Sequence, residues 1–202
     1  DKLFSAISYS SGVYFTESNY ILRLTYSGAF RSPHFSELFS DGVHHGTSRY
    51  EIGNANLKLE KGHQFDFKCQ WSNNHLGIIV NPFYQLITDF ISINPTDSFA
   101  QNNYRVYNYD QFNKVEISGF ELNLHYHPHQ LHNLHFEQSY SFINSRNLDQ
   151  NTALALTPSN KIKTRLKLHL KENNSLLRLN KISFYHVYSS SEDHTGDYGT
   201  PS

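Results

Sequence analysis

The chain has 202 residues, of which 38% are hydrophobic and 15% aromatic, and its longest strongly apolar run, Leu76 to Val80, is too short for a membrane-spanning helix. Its formal net charge of −1, from 17 Lys and Arg against 18 Asp and Glu, gives no positive field and disfavours nucleic acid as a partner. The single cysteine, Cys69, excludes an intrachain disulfide and a thiolate metal cluster.

Apolar and polar residues alternate with a period of two along most of the chain, which is typical of β-strands with two unlike faces. In the segment 161–171, for example, Leu166 and Leu168 fall on one face, and Arg165 and Lys167 on the other. The pattern predicts about eight strands, at residues 3–16, 20–30, 63–73, 75–93, 104–127, 133–146, 161–171 and 176–191. We expect Phe65, Phe67 and Trp71 to share the outward face of Leu166 and Leu168.

Short and long connections alternate between these strands. Brief turns are predicted at 17–19, 73–74, 128–132 and 172–174, and long loops at 31–61, 94–103, 147–160 and from 192 onward. This alternation is typical of an up-and-down barrel with periplasmic turns and larger extracellular loops. The strand at 104–127 would rise about 50 Å at a tilt near 45°, so it would protrude beyond an apolar band of about 25 Å.

Several ordered motifs resemble the C-terminal half of the barrel of TonB-dependent receptors. An aromatic-Arg-x-Pro step at Phe30 to Pro33 leads into the pair Glu37-Leu38, and a Gly-Asn-x-x-Leu-x-x-Glu element runs from Gly53 to Glu60. The segments that carry the resemblance are 28–39, 50–60, 88–91, 117–121, 151–158 and 194–201.

The resemblance implies an all-β, antiparallel up-and-down meander that forms part of a transmembrane barrel of about 22 strands and is not closed by itself. Residues 1–202 would then be a partial barrel domain of about eight strands, with the plug domain and the terminal strands outside it. The chain starts at Asp1 without a signal-peptide pattern, holds no methionine and stops in a loop-like segment, so we expect an internal fragment.

The resemblance also implies a function. The protein would be a Gram-negative outer-membrane receptor, surrounded by lipid, for uptake of a scarce metal, metal chelate, siderophore or haem. Energy would come from the TonB complex through the plug, and no cofactor or enzymatic activity is expected. Two alternatives remain at this point: a passive porin-type barrel, and a soluble β-sandwich binding module.

The histidines are the sharpest candidate ligands, since the chain contains 13 of them. The predicted extracellular loop 31–61 holds the pair His44-His45, with weaker support for His34 and Glu51, and imidazole and carboxylate groups suit borderline metals such as zinc. We expect these four residues to contact the ligand, with His44 and His45 as candidate metal ligands. The alternative is a solvated polar loop with incidental histidines.

Two further groups have more ordinary interpretations. The spacing of His125, His127, His129, His132 and His135 permits chelation, but a periplasmic turn favours solvation or adventitious metal binding. We expect Glu121, Lys163, Arg165 and Lys167 to face the barrel lumen. There the cations would either attract anionic ligands or pair with acidic groups of the plug or of neighbouring strands.

Overall fold

The computed structural model describes residues 3–100, 103–154, 157–170 and 180–190. It contains eleven strands and one helix of five residues within these ranges. The elements are β1 (Tyr9–Glu17), β2 (Tyr20–Arg31), α1 (Phe35–Phe39), β3 (Asp41–His44), β4 (Arg49–Ile52), β5 (Glu60–Ser72), β6 (Leu76–Phe99), β7 (Arg105–Tyr126), β8 (Leu134–Asn147), β9 (Thr152–Ala153), β10 (Lys161–His169) and β11 (Lys181–Ser189).

Eight of these strands form the predicted meander. Their order in the sheet is β1-β2-β5-β6-β7-β8-β10-β11, each antiparallel to its neighbours. In the described residues β1 and β11 lie at the two edges, so the sheet is open. The prediction of an unclosed, all-β antiparallel meander is therefore confirmed. No helix in this part of the chain has the length and apolar composition needed to cross a membrane.

The predicted loops contain more structure than expected. Loop 31–61 includes α1 and the hairpin β3–β4, and β6 continues to Phe99, through most of the predicted loop 94–103. The turn-forming residues around Pro95 led to the prediction of a loop. The strand instead continues through them with a shift of register between Pro95 and Phe99. The first strand starts later than predicted, at Tyr9. The predicted turn 172–174 and the segment from 192 lie outside the described residues.

The strands share a common section below a protruding hairpin. The neighbours of β6 and β7 end where Lys61 pairs with Thr88 and Asn147 pairs with Val115. Below that level, residues 115–126 span about 40 Å, or a rise of about 28 Å at a 45° tilt, close to an apolar band of about 25 Å. Residues 89–99 and 105–114 continue as a two-stranded hairpin beyond it.

The register gives the sheet two unlike faces. Trp71 pairs with Ile78, and the line of partners continues through Leu124 and Gln138 to Thr164. Since cross-strand partners share a face, Phe65, Phe67 and Trp71 lie on the same face as Leu166 and Leu168, as predicted. Phe65 is 49% exposed and Leu168 40% exposed, so this face presents apolar side chains at its surface.

We predict that Gly119→Ala destabilises the barrel by about 1–3 kcal/mol, because an added Cβ would meet the carbonyl oxygen of Phe142 and lie 2.9 Å from Cζ of Phe83. The midpoint of urea unfolding of the full-length protein in detergent measures this. Gly77→Ala is the matched control, since its Cβ would meet nothing closer than Cβ of Ser72 at 3.9 Å. Equal midpoints for the two variants would contradict the packing argument.

Candidate functional site

The loop between β2 and β5 is anchored by Arg31 at the end of β2. Its Nη1 donates to both carboxylate oxygens of Glu37, each at 2.9 Å, and its Nη2 donates to Oε2 of Glu60 at 3.1 Å. The same Glu60 oxygen accepts the backbone N–H of Ile91 at 3.0 Å. One guanidinium therefore joins β2, α1, β5 and β6 at the level where the protruding hairpin begins.

A small apolar core lies beside this ion-pair network. Leu38 of α1, Leu57 of the loop and Ile91 of β6 are 7%, 3% and 7% exposed, and Phe4 and Tyr109 pack against them. It is the only core cluster among the described residues. The loop is thus held to the hairpin by burial as well as by charge.

Gly53 closes the loop by an unusually near approach of two backbones. Its N–H donates to the carbonyl oxygen of Ser40 at 2.7 Å, and the N–H of Asn54 donates to that of Glu37 at 2.8 Å. An added Cβ on Gly53 would lie 2.6 Å from the backbone nitrogen of Phe39. The Gly-Asn element of the sequence is therefore explained by its contact with α1.

The hairpin β3–β4 lies against the protruding part of β7. β4 runs parallel to β7, with Tyr50 opposite Val106 and Ile52 opposite Asn108. The guanidinium carbon of Arg49 lies 4.9 Å from the ring centre of Tyr107, a cation–π contact. The extracellular loop of the prediction is therefore an extension of the sheet.

The predicted ligand residues occupy different surroundings in this loop. His44 ends β3 and His45 follows it, both exposed, and Nδ1 of His44 lies 3.0 Å from Oγ1 of Thr47. His34 is also exposed, but it precedes α1, where its backbone N–H donates to Glu37 at 2.7 Å. The structure thus places His44 and His45 side by side at the hairpin tip, with His34 at the base of the loop.

Glu51 is buried, in contrast to the histidines. It is 7% exposed, and its Oε2 accepts a hydrogen bond from the hydroxyl of Tyr109 at 3.0 Å. Its carboxylate faces β7, so the structure does not bring it together with His44 at the tip. No three His, Cys, Asp or Glu residues in the described ranges are arranged to hold one metal ion.

The face opposite the apolar one carries the four residues predicted to line the lumen. Glu121 borders an open hollow of about 500 Å³ that also contains Arg23, Asp66 and Lys68. Lys163 borders a second hollow with Glu121. Lys167 donates to Glu137, and Arg165 lies 3.7 Å from the same carboxylate. Two of the cations are therefore paired with an acid on the neighbouring strand.

The short-turn end of the sheet holds a group that sequence reasoning found only in part. The five histidines of the predicted cluster contact two more, His75 before β6 and His169 at the end of β10. The sequence could have indicated both residues, since each lies beside a predicted short turn. All short turns of a meander lie at the same end of the sheet. Spacing within one segment could not show this, because the contacts depend on pairing between four strands.

The comparison with known families fits this geometry. The family described as "TonB dependent receptor-like, beta-barrel" matches residues 2–201, nearly the whole chain. The chain belongs to this family. No curated protein matches it in sequence.

Solved receptor barrels have the same fold. The sheet is similar to the copper transporter OprC with a TM-score of 0.65 and 20% identity, over 79% of this chain and 23% of that one. It is similar to the siderophore receptor PirA from Pseudomonas aeruginosa with a TM-score of 0.65 and 16% identity, over 90% of this chain and 34% of that one. It is similar to the FrpB iron transporter from Neisseria meningitidis with a TM-score of 0.60 and 16% identity, over 90% of this chain and 26% of that one. The receptor barrel described here thus spans about a quarter to a third of these chains.

We predict that Arg31→Lys loosens the receptor's loop 31–61, because an ammonium cannot donate to both carboxylates with the geometry of the guanidinium fork. Since Arg31 is 36% exposed, we expect a loss of about 1–2 kcal/mol and a roughly 5- to 30-fold faster cleavage of the loop by proteinase K. Arg23→Lys, on the same strand, is the control: among the described residues its one side-chain hydrogen bond is from Nε to Thr25, at 3.1 Å. Equal cleavage rates for the two variants would show that the fork does not hold the loop.

We also predict an alkaline transition in this loop. Burial and the hydrogen bond to Glu51 raise the pKa of Tyr109 from 10.0 to about 12. The folded loop favours the neutral phenol, so this stabilisation is complete below pH 10.0 and is lost as the pH rises through about 12.

Phenolate absorbance and proteinase K cleavage, followed together against pH, measure this transition. Tyr109→Phe should remove the alkaline step and, by taking the donor from buried Glu51, destabilise the loop by about 1–3 kcal/mol at neutral pH. Tyr126→Phe, at the far end of β7, is the control. An unchanged alkaline step in Tyr109→Phe would refute the assignment.

Proposed function

We propose that this chain forms part of the barrel wall of an outer-membrane receptor for TonB-coupled uptake of a scarce ligand. The observation that carries the proposal is the family match over residues 2–201, on a sheet with one apolar exposed face and one polar face. The structures it resembles include a copper transporter, a siderophore receptor and an iron transporter. The ligand class in the proposal is accordingly a metal, a metal chelate, a siderophore or haem.

The two faces of the sheet would have different surroundings in such a barrel. The apolar face, with Phe65 and Leu168, would meet outer-membrane lipid, because lipid-facing and lumen-facing residues alternate along barrel strands. The polar face, with Glu121, Lys163, Arg165 and Lys167, would line the lumen around the plug. Residues 1–202 would be a partial barrel domain, and contact with TonB would pass through a plug domain encoded elsewhere in the gene. The activity assigned is transport, without catalysis.

A passive porin-type barrel remains the alternative function. A porin needs no plug, whereas a TonB-coupled receptor needs both a plug and a TonB-contacting segment upstream of its barrel. The complete reading frame therefore separates the two. We expect it to encode both elements, and a frame without them would end the receptor proposal.

The ligand-contacting part of the proposal concerns the hairpin tip. His44 and His45 are exposed and adjacent, on a hairpin that β7 holds above the common section of the sheet. Imidazole nitrogens bind borderline metals and can also bind haem iron. We propose these two residues as the main contacts, with His34 as a weaker one; Glu51, predicted as a fourth contact, is buried against Tyr109 and would support the hairpin instead.

We predict that His44→Ala/His45→Ala in the full-length receptor weakens ligand affinity by about tenfold or more, as the loss of about 1.4 kcal/mol of binding requires. Binding to isolated outer membranes and growth on limiting zinc, haem or ferric chelate measure the effect. Ser36→Ala/Asn56→Ala, two exposed substitutions in the same loop, is the matched control. If the histidine double variant equals wild type for every transported ligand, the tip histidines are solvated residues.

A further inference from the structure

Seven histidines form a continuous group of rings at the short-turn end of the sheet. They come from the turn before β6, from β7, from the β7–β8 turn, from β8 and from β10. The seven are His75, His125, His127, His129, His132, His135 and His169, with neighbouring ring centres 5.0 to 6.4 Å apart. We name this group the histidine cluster. More than half of the chain's 13 histidines belong to it.

Two pairs of nitrogen atoms within the histidine cluster have the spacing of ligands on one metal ion. Nδ1 of His75 lies 3.4 Å from Nδ1 of His127, and Nε2 of His125 lies 3.2 Å from Nδ1 of His135. Two nitrogens at about 2.0–2.1 Å from a tetrahedral zinc ion lie about 3.3–3.4 Å apart. The first pair therefore matches one edge of a zinc coordination tetrahedron, and the second is slightly shorter than such an edge.

Each pair has a third ring within reach. The ring of His129 lies 5.0 Å from that of His75, and the ring of His169 lies 5.2 Å from that of His135. These third rings are exposed and their nitrogens do not yet converge on the pairs, since no three ligand groups are arranged for one ion. Both rings can reorient toward their pairs, because exposed side chains exchange rotamers rapidly.

Metal binding requires neutral imidazoles, since protonation removes the lone pair that binds the ion. His75 lies in the turn outside the strands, with the rings of His127, His129 and His132 at 5.0 to 6.4 Å from its own. The charged groups that lie nearest to His125, His135 and His169 in the strand register of the same face are one acid and three bases on β8, β10 and β11. They are Glu137, Arg165, Lys167 and Lys181. Glu137 pairs with Lys167 and Arg165.

We propose that the histidine cluster binds two borderline divalent ions of the zinc and copper(II) class, one at His75 and His127 with His129, and one at His125 and His135 with His169. This site lies at the opposite end of the sheet from His44 and His45 and does not depend on the proposed function of the hairpin tip. By the barrel's loop pattern it faces the periplasm.

The test uses the full-length receptor without a polyhistidine tag, in detergent, with His44→Ala/His45→Ala as the background so that the hairpin tip does not contribute. Calorimetry with Zn²⁺ is expected to give two ions per chain more than in a variant with all seven histidines of the cluster replaced. His75→Ala/His127→Ala and His125→Ala/His135→Ala should each lose one ion. Acidification from about pH 7.5 to about pH 5.5 should release both, because protonated imidazole is not a ligand.

Two further measurements decide the result. With Cu²⁺, electron paramagnetic resonance should show coupling to two or three nitrogens, and His186→Gln on β11 should leave the stoichiometry unchanged. Zn²⁺ should also protect His75, His127, His125 and His135 from carbethoxylation in the unmutated receptor, which tests the site even if a variant fails to fold. Unchanged stoichiometry in both paired variants, or protection spread equally over His63 and His186, would overturn the proposal.

Discussion

The placement of Arg31 between Glu37 and Glu60 is the constraint on which the upper part of this molecule depends. The sheet below is determined by the alternation of apolar and polar residues. The hydrogen bonds between strands do not determine the fold of the 28-residue connection between β2 and β5. The guanidinium fixes both ends of that connection and the helix α1 within it. Leu38 can then pack on Ile91, and Gly53 can close against α1. Removal of Arg31 would leave two carboxylates that are 13% and 14% exposed without their cation.

Much of the sheet could be predicted because its two faces differ in polarity. Alternation identifies the strands, and the same alternation sets their register, since a slip of one residue would exchange the apolar and polar faces. The prediction failed where that contrast ends, above the common section. There β6 continues past Pro95, and β4 pairs with a strand more than fifty residues away, as Tyr50 does with Val106. Such contacts follow from the assembled hairpin and leave no local periodicity.

In the candidate sites, too, local sequence features could be predicted and contacts between distant strands could not. Residue type and position single out His44 and His45 in the loop, where they are adjacent in the chain and exposed. They could not show that Glu51 is buried against Tyr109, because that contact needs β4 on β7. Likewise, Arg165 and Lys167 alternate visibly, but their common partner Glu137 is fixed by the register of β8 with β10. The sequence predicted five of the seven residues of the histidine cluster for a similar reason, since His75 and His169 contact the others only across strands.

The parallel pairing of β4 with β7 has a consequence for how this surface can change. The backbone of the hairpin is held by the sheet, whereas residues 45–48 at its tip are exposed and connect two paired strands. A four-residue tip on a fixed base can be exchanged or lengthened at little cost, because closing a longer loop adds only slowly to the entropy lost. The receptor surface is therefore modular at this point. Substitutions or insertions at residues 45–48 can alter what the tip presents while Arg31, Gly53 and Tyr109 keep its base unchanged.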